Sequence, residues 1–421
     1  MSDKNWYKAD NVAKLFLASY TKRDTRTIRV SCTLDSDINP ELLGSALLNT
    51  IKERPEFQVR IRRGFFWHYI EPCNQLPFIK EEDGTICQLL YGESYKGILH
   101  YQVTYYKNRI NLEIFHVLCD GTGALSFLNT LVFHYMKLAY PDSFSDALLC
   151  THSSSEDRKQ DSFDQFYKDL PDSKETPDAY KGSAYSIGNR RLPYNQLQHF
   201  ELHMDASSVL NLAHSCKASV TSLLSGALML AIYKDMPARK RRKRISISLP
   251  VNLRGLYGSD TSRNFFNNVN ISHTMKGNET LGELAMLFDA SLKSNIQPGK
   301  IKNQVYSFTK FENLIIAKLI PLFIKQPLLR LFSKMGDRNV TAAVSSLGLV
   351  KPPNELMNDH ILYYSAFCSF NGLFTTISSF KDELVMGMSS AYASTSIIRN
   401  FIRILKENNI EISLYASDVI K

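Results

Sequence analysis

The chain lacks most of the features that announce a function on sight. Its seven cysteines are scattered through 421 residues with no Cys-x-x-Cys pair. That excludes a disulfide framework and a zinc knuckle and leaves reduced, buried thiols as the expectation. The ten histidines show no His-Glu-x-x-His or related spacing, so no metal is expected. No short internal repeat is present. The first residues, MSDKNWYKADNVAKLF, lack the basic start and apolar run of a secretory leader, which points to the cytoplasm. The most apolar stretch, NLIIAKLIPLFIKQPLLRLF, is interrupted by Pro321 and Pro327 and carries Lys318, Lys325 and Arg330, which a helix would gather towards one side. It is too broken to span a bilayer. A core or substrate-lining helix is the first reading of it, and a peripheral membrane contact the second.

Apolar residues make up 44% of the chain and aromatics 11%, enough for two cores of ordinary size. The net charge of +9 is concentrated in one run, RKRRKR, from Arg239 to Arg244. No aromatic–basic RNA signature, zinc finger or helix-turn-helix pattern surrounds it, so no nucleic-acid partner is expected. The run reads as a solvated connection before a strand.

Periodicity gives strands mixed with helices, an α/β or α+β layer architecture. TIRVSCTL reads as a strand, and PELLGSALLNTIKER (residues 40–54) as a helix with Asn39 as N-cap and Pro40 at its first position. FQVRIRRGFFWHYIE alternates like a hairpin turning at Gly64. A second hairpin pairs 101–106 with 110–115, and a helix is predicted over 123–138. Residues 151–195 are polar and poor in large aliphatics, the composition of a linker or crossover. The chain therefore divides into an N-terminal part, 1–150, that crossover, and a C-terminal part, 196–421. The last part opens with a strand and two amphipathic helices, the second capped by Ser219 or Thr221, and continues into the strand RISISL. It closes with a meander and a terminal helix from about Ser396.

Within IFHVLCDGTGALSFL, His116 ends an apolar strand, and Asp120 and Gly121 open the next helix. A histidine at such a place has a tunable pKa. Asp120 is suited to capping the helix, holding the loop or orienting the ring; Gly121 eases the turn. Cys119 invites a nucleophile reading, but nothing in its surroundings marks it as electropositive or exposed.

The spacing His116-x-x-x-Asp120-Gly121 resembles the His-x-x-x-Asp-Gly signature of the chloramphenicol acetyltransferase-like superfamily, which includes peptide-synthetase condensation domains and alcohol acyltransferases. ALLNTIKERPEFQVRIRRGFFWHYIE, VTSLLSGALMLAI, ISLPVNLRGLYGSDTSRNFFNN and AAVSSLGLVKPP resemble further superfamily segments, in order, across nearly the whole chain. The resemblance, best for the alcohol acetyltransferase-like branch, implies two related α/β domains, each a mixed sheet with flanking helices, with a tunnel between them. It implies His116 as general base, Arg254 as the ion-pair partner of Asp120, and Ser345 and Ser346 as oxyanion candidates in place of a Ser-Asn pair. Asn264 and Asn267 would shape the tunnel. Phe115 stands where many members carry a second histidine, which argues against a peptide-forming role, and the plant branch's Asp-Phe-Gly-Trp-Gly segment is absent.

A freestanding acyltransferase is the expectation, taking acyl-CoA as co-substrate and a small-molecule alcohol, or less readily an amine, as acceptor. No bound cofactor is expected. The rivals are a condensing enzyme served by a carrier protein and a silent relative that binds an acyl ligand or a protein. Basic residues such as the Arg239–Arg244 run are candidates for the donor's phosphates.

Overall fold

The computed structural model describes residues 6–92, 99–149, 153–167, 183–194, 196–297, 299–300 and 320–417. Two mixed sheets dominate. The first runs in the spatial order Ile361–Cys368, Thr27–Leu34, Arg109–Phe115, Tyr101–Tyr106, Ile79–Glu81. The second runs Phe266–His273, Ile245–Asn252, Ala342–Leu349, Leu373–Phe380, Glu383–Ser390, Gln198–Asp205, Ser413–Ala416. A three-stranded sheet holds the hairpin Val59–Arg63 and His68–Pro72, with Tyr7–Lys8 beside it.

Helices cover these sheets where their apolar stripes dictate. Pro40–Glu53 begins where Asn39 accepts hydrogen bonds from the Glu41 and Leu42 amides, and Gly121–Ala139 packs beside it over the first sheet. Val220–Asp235 begins at Ser219, whose hydroxyl accepts from the Ser222 amide.

Four expectations change. Val220–Asp235 is not amphipathic: Leu223 through Met229, Ala231 and Ile232 are all buried, because sheet and helices enclose it. The closing strands are not one meander. Leu373–Phe380 and Glu383–Ser390 form a hairpin, but Ile361–Cys368 pairs antiparallel with Thr27–Leu34 and so joins the first sheet. Hydrogen bonds bind this strand to the second sheet as well. The Thr376 hydroxyl donates to the Ala366 carbonyl, and the Ser378 hydroxyl donates to that of Tyr364 at 2.8 Å. A short edge strand, Ser413–Ala416, follows the terminal helix Ser396–Glu407 and pairs with Gln198–Asp205.

Within 151–195 the described part is more than a linker. Helices Ser155–Lys159 and Ser162–Tyr167 lie there, and buried Arg158 donates to Glu56 at 2.8 Å and to the Glu53 carbonyl. The apolar stretch near Pro321 falls partly outside the described residues. The remainder forms the helix Leu322–Asp337, of which Leu322 alone is buried; it is not a core helix, and the other half of the first reading fits it better, since Leu329 and Phe332 line a cavity.

Candidate active site

The turn after Arg109–Phe115 places His116 against a cavity of about 580 Å³. Its ring packs against Phe16 and Phe266, with centroids 4.6 and 5.8 Å away. Burial lowers the pKa of the imidazole, outweighing the opposing influences of Asp120 and a hydrogen bond to Asn264. The ring is therefore neutral at pH 7.

Which nitrogen carries the proton follows from the neighbours. Asn264 Nδ2 donates to the His116 carbonyl at 3.0 Å and to Asp10 Oδ2 at 3.4 Å. Both partners accept only, so the amide orientation is fixed and Asn264 Oδ1 faces His116 Nδ1 at 3.0 Å. An amide oxygen accepts; Nδ1 must donate, and the lone pair resides on Nε2. No protein group among the described residues hydrogen-bonds Nε2. The arrangement leaves Nε2 free, among the described residues, to accept a proton.

Asn264 is held in turn by a polar cluster. Asp10 caps the helix Asn11–Ser19 through the Ala13 amide at 2.7 Å, and Arg263 Nε lies 3.6 Å from its other oxygen. Burial pushes the Asp10 carboxyl up, to about 6, with Arg263 opposing. The Ser262 amide donates to the Arg158 carbonyl at 2.9 Å, so the crossover straps the Asn264 loop to the first half. Replacing Asn264 by leucine removes the acceptor that selects the tautomer. We expect kcat to fall on the order of 10²-fold or more, as when an orienting partner of a catalytic histidine is lost, while KM changes little. Steady-state kinetics check it.

Asp120 does not touch the ring. Its carboxylate receives both Arg254 Nη atoms, at 2.8 and 3.0 Å, and the amides of Gly123 and Phe265 at 3.1 and 3.0 Å. It holds the loop and caps the helix; four donors leave it no spare direction for chemistry. Arg254 also donates to the Thr261 and Arg263 carbonyls.

Of the two glycines in this turn, Gly123 has less room than Gly121. A β-carbon on Gly121 would meet the Leu347 side chain at 3.2 Å. One on Gly123 would overlap the Ser262 carbonyl oxygen and lie 2.8 Å from Cys119 Cβ. Neither glycine has the left-handed backbone that the turn argument for Gly121 assumed. Gly123→Ala is expected to push the Ser262–Asn264 loop away at a cost of about 1–3 kcal/mol, with activity lost too. Gly121→Ala, whose neighbour is the end of a flexible side chain, keeps its melting temperature. Thermal melts of the two variants make the comparison.

Ser345 and Ser346 line the cavity from Ala342–Leu349. A bulge follows at Ser346–Gly348, where the Gly348 amide donates to Ser346 Oγ at 3.2 Å. Asn267 does not line it. Phe266, Asn268 and Asn270 do, and the two-residue period of the strand turns Asn267 to the other face. None of Arg239–Arg244 reaches the cavity, and most of that run is exposed. Burial drives the Cys119 thiol well above its ordinary value, the wrong direction for a nucleophile. Among the described residues no group of three or more potential metal ligands gathers.

Two residues at the cavity or beside Asn264 carry no sequence signal. Asp10 is an ordinary N-cap until the fold sets it beside Asn264. Asn11, 3% exposed, lines the cavity with Nδ2 lacking any hydrogen-bond partner among the described residues. A buried amide donor in that state is open to an acceptor in the cavity, whether water or ligand.

No protein-family model and no curated protein matches the chain. Solved structures do. The chain is similar to TRI3 trichothecene 15-O-acetyltransferase from Fusarium sporotrichioides, with a TM-score of 0.62, 11% identity, and 96% of this chain and 94% of that one covered. It is similar to polyketide synthase associated protein 5 from Mycobacterium tuberculosis, with a TM-score of 0.59, 12% identity, and 95% and 96% covered. It is also similar to the starter condensation domain of rhizomide synthetase RzmA, solved as a variant with C8-CoA, with a TM-score of 0.60, 12% identity, and 96% and 94% covered. At such identities the likeness is one of fold: the chain has the two-lobed α/β fold of condensation domains and acetyltransferases.

Proposed function

We propose that the chain is an acyltransferase that moves an acyl group from a coenzyme A thioester to a hydroxyl acceptor, with His116 as general base. The observation that carries this reading is the hydrogen bond between Asn264 Oδ1 and His116 Nδ1, on a ring that lines the cavity; it assigns the proton to Nδ1 and leaves Nε2 without a partner among the described residues. The same fold accommodates C8-CoA in the RzmA domain and belongs to an O-acetyltransferase in TRI3, which supports both donor and reaction class.

In this scheme Nε2 takes the acceptor's hydroxyl proton as its oxygen attacks the thioester carbonyl carbon. The tetrahedral intermediate collapses with cleavage of the C–S bond, and the imidazolium returns the proton to the departing sulfur. The products are an ester and free coenzyme A; no covalent enzyme intermediate or external co-reactant is needed. Holding both substrates in one cavity contributes as much as the proton transfer. Ser345, Ser346 and Asn11 are the candidate donors to the oxyanion or the thioester carbonyl.

A lowered imidazole pKa sets the pH response. Protonation abolishes the base, so activity falls as pH drops through the histidine's pKa. That pKa lies below the ordinary value of 6.5. The acid limb of kcat/KM is therefore expected below pH 6.5, and a midpoint above it would contradict the desolvated, neutral ring.

The test is acceptor-dependent release of free thiol from a panel of acyl-CoA donors with pooled alcohols and pooled amines, with His116→Ala as control. Release with alcohols that vanishes in the variant supports the proposal, and release with amines alone moves the acceptor class. No release from any coenzyme A donor, but turnover with a carrier-bound one, replaces it by the condensing reading. Silence with both leaves the ligand-binding relative.

A further inference from the structure

The helix Leu322–Asp337 has two apolar faces where a surface helix ordinarily has one. Leu329, Phe332, Ser333 and Gly336 recur at i, i+3, i+4 and i+7 and line the cavity. Ile324, Leu328, Leu331 and Met335 recur at i, i+4, i+7 and i+11, on a face turned away from it, and are 46, 44, 55 and 53% exposed. Phe323, beside them, is 60% exposed. A helix that only closed a soluble cavity would carry polar side chains there.

The patch continues onto a second element. The Leu322 amide donates to the Phe65 carbonyl at 2.8 Å, and Lys325 Nζ to that of Phe66 at 3.0 Å. This brings the aromatic hairpin tip Phe65-Phe66-Trp67 alongside, with Phe65 66% exposed. Lys8 Nζ sits 4.4 Å over the Trp67 ring. From Leu322 to Arg338 the cations Lys325, Arg330, Lys334 and Arg338 face a single anion, Asp337, and Arg63 is exposed on the hairpin. Clustered aliphatics, aromatics at the edge and a basic surround are the chemistry of a face that lies in the headgroup region of an anionic bilayer.

We propose that the outer face of Leu322–Asp337, together with the Phe65–Trp67 tip, docks the protein on an anionic lipid surface. The face is contiguous with the cavity through Phe332, which both lines it and is half exposed. Resting on the acyl-transfer reading, one consequence follows: an acceptor alcohol dissolved in the bilayer reaches the site without crossing water. The docking itself does not depend on that reading.

The experiment is flotation of the full chain with vesicles of phosphatidylcholine alone and of phosphatidylcholine with phosphatidylglycerol. Wild type is expected to float with the anionic vesicles, less with neutral ones, and less again at high salt. Ile324→Asp/Leu331→Asp, at positions that do not line the cavity, is expected to lower partitioning on the order of 10- to 100-fold. Its thiol release with a short, water-soluble alcohol should be unchanged. Phe65→Ser, on a separate element, serves the same purpose if the double variant melts early. Wild type that stays with neither vesicle, or variants that float like wild type, overturns the proposal. So does a concentration-dependent dimer in light scattering that the variants abolish without any flotation, which would assign the face to a second copy. Absence of thiol release from every donor, with flotation intact, would sink the acyl-transfer reading and leave the docking standing.

Discussion

His116→Ala is expected to lower kcat by about 10²–10⁴-fold, the usual worth of a positioned general base, with KM for the acyl donor little changed. The cavity walls do not depend on the ring. Phe16 and Phe266 are anchored by their own helix and strand, and water entering from the cavity can occupy the vacated volume. His116→Gln sharpens the result. Its amide fills much of the imidazole's volume and can hydrogen-bond but cannot accept a proton at neutral pH. Equal losses in the two variants, measured by steady-state kinetics at saturating donor, would assign the effect to proton transfer. Near-wild-type turnover in the glutamine variant would show that the residue merely shapes the site.

Arg254→Met is expected to destabilise the fold by about 3–5 kcal/mol, because it leaves Asp120 charged and buried with two amide donors instead of four partners. Asp120 is 5% exposed, so water replaces the guanidinium only in part. The damage spreads, since Arg254 also donates to the Thr261 and Arg263 carbonyls beside Asn264. Activity should fall with stability, through loss of the acceptor at Nδ1. Denaturant melts of Arg254→Met, Asp120→Asn and the double variant form a cycle. Recovery of part of the loss in the double variant is the expected sign of a structural pair. An Asp120→Asn variant that keeps its stability and loses only turnover would give the carboxylate a direct catalytic role instead.

The parts of this protein that are legible in its sequence are the local ones. Asn39 followed by Pro40 starts a helix through capping chemistry that needs no distant partner. The turn at Lys107 and Asn108 joins two alternating runs into a hairpin. His116 stands out because a titratable ring ends an apolar strand directly before a capping aspartate. What escapes is set by contacts between residues far apart in the chain. Asn264 is 148 positions from the ring it orients, and nothing in RNFFNN distinguishes it from Asn267, which faces elsewhere. Val220–Asp235 reads as a surface helix because serines at 222 and 225 mimic a polar face; both are buried. The placement of Ile361–Cys368 escapes for the same reason: adjacency in sequence favours a meander, and the open edge of Thr27–Leu34 more than 300 residues earlier claims the strand instead.

That exchange has a consequence for synthesis. The sheet that presents His116 keeps an unpaired edge along Thr27–Leu34 until the ribosome has delivered Cys368. For most of translation the nascent first half therefore exposes an unpaired strand edge of the kind that pairs with stray partners. A truncation anywhere before Ile361 leaves that edge permanently open, and the two halves, expressed apart, are each one strand wrong: the first lacks an edge and the second carries an orphan. Their assembly should be recoverable only by mixing both in the same cell, with the late strand acting as the clasp.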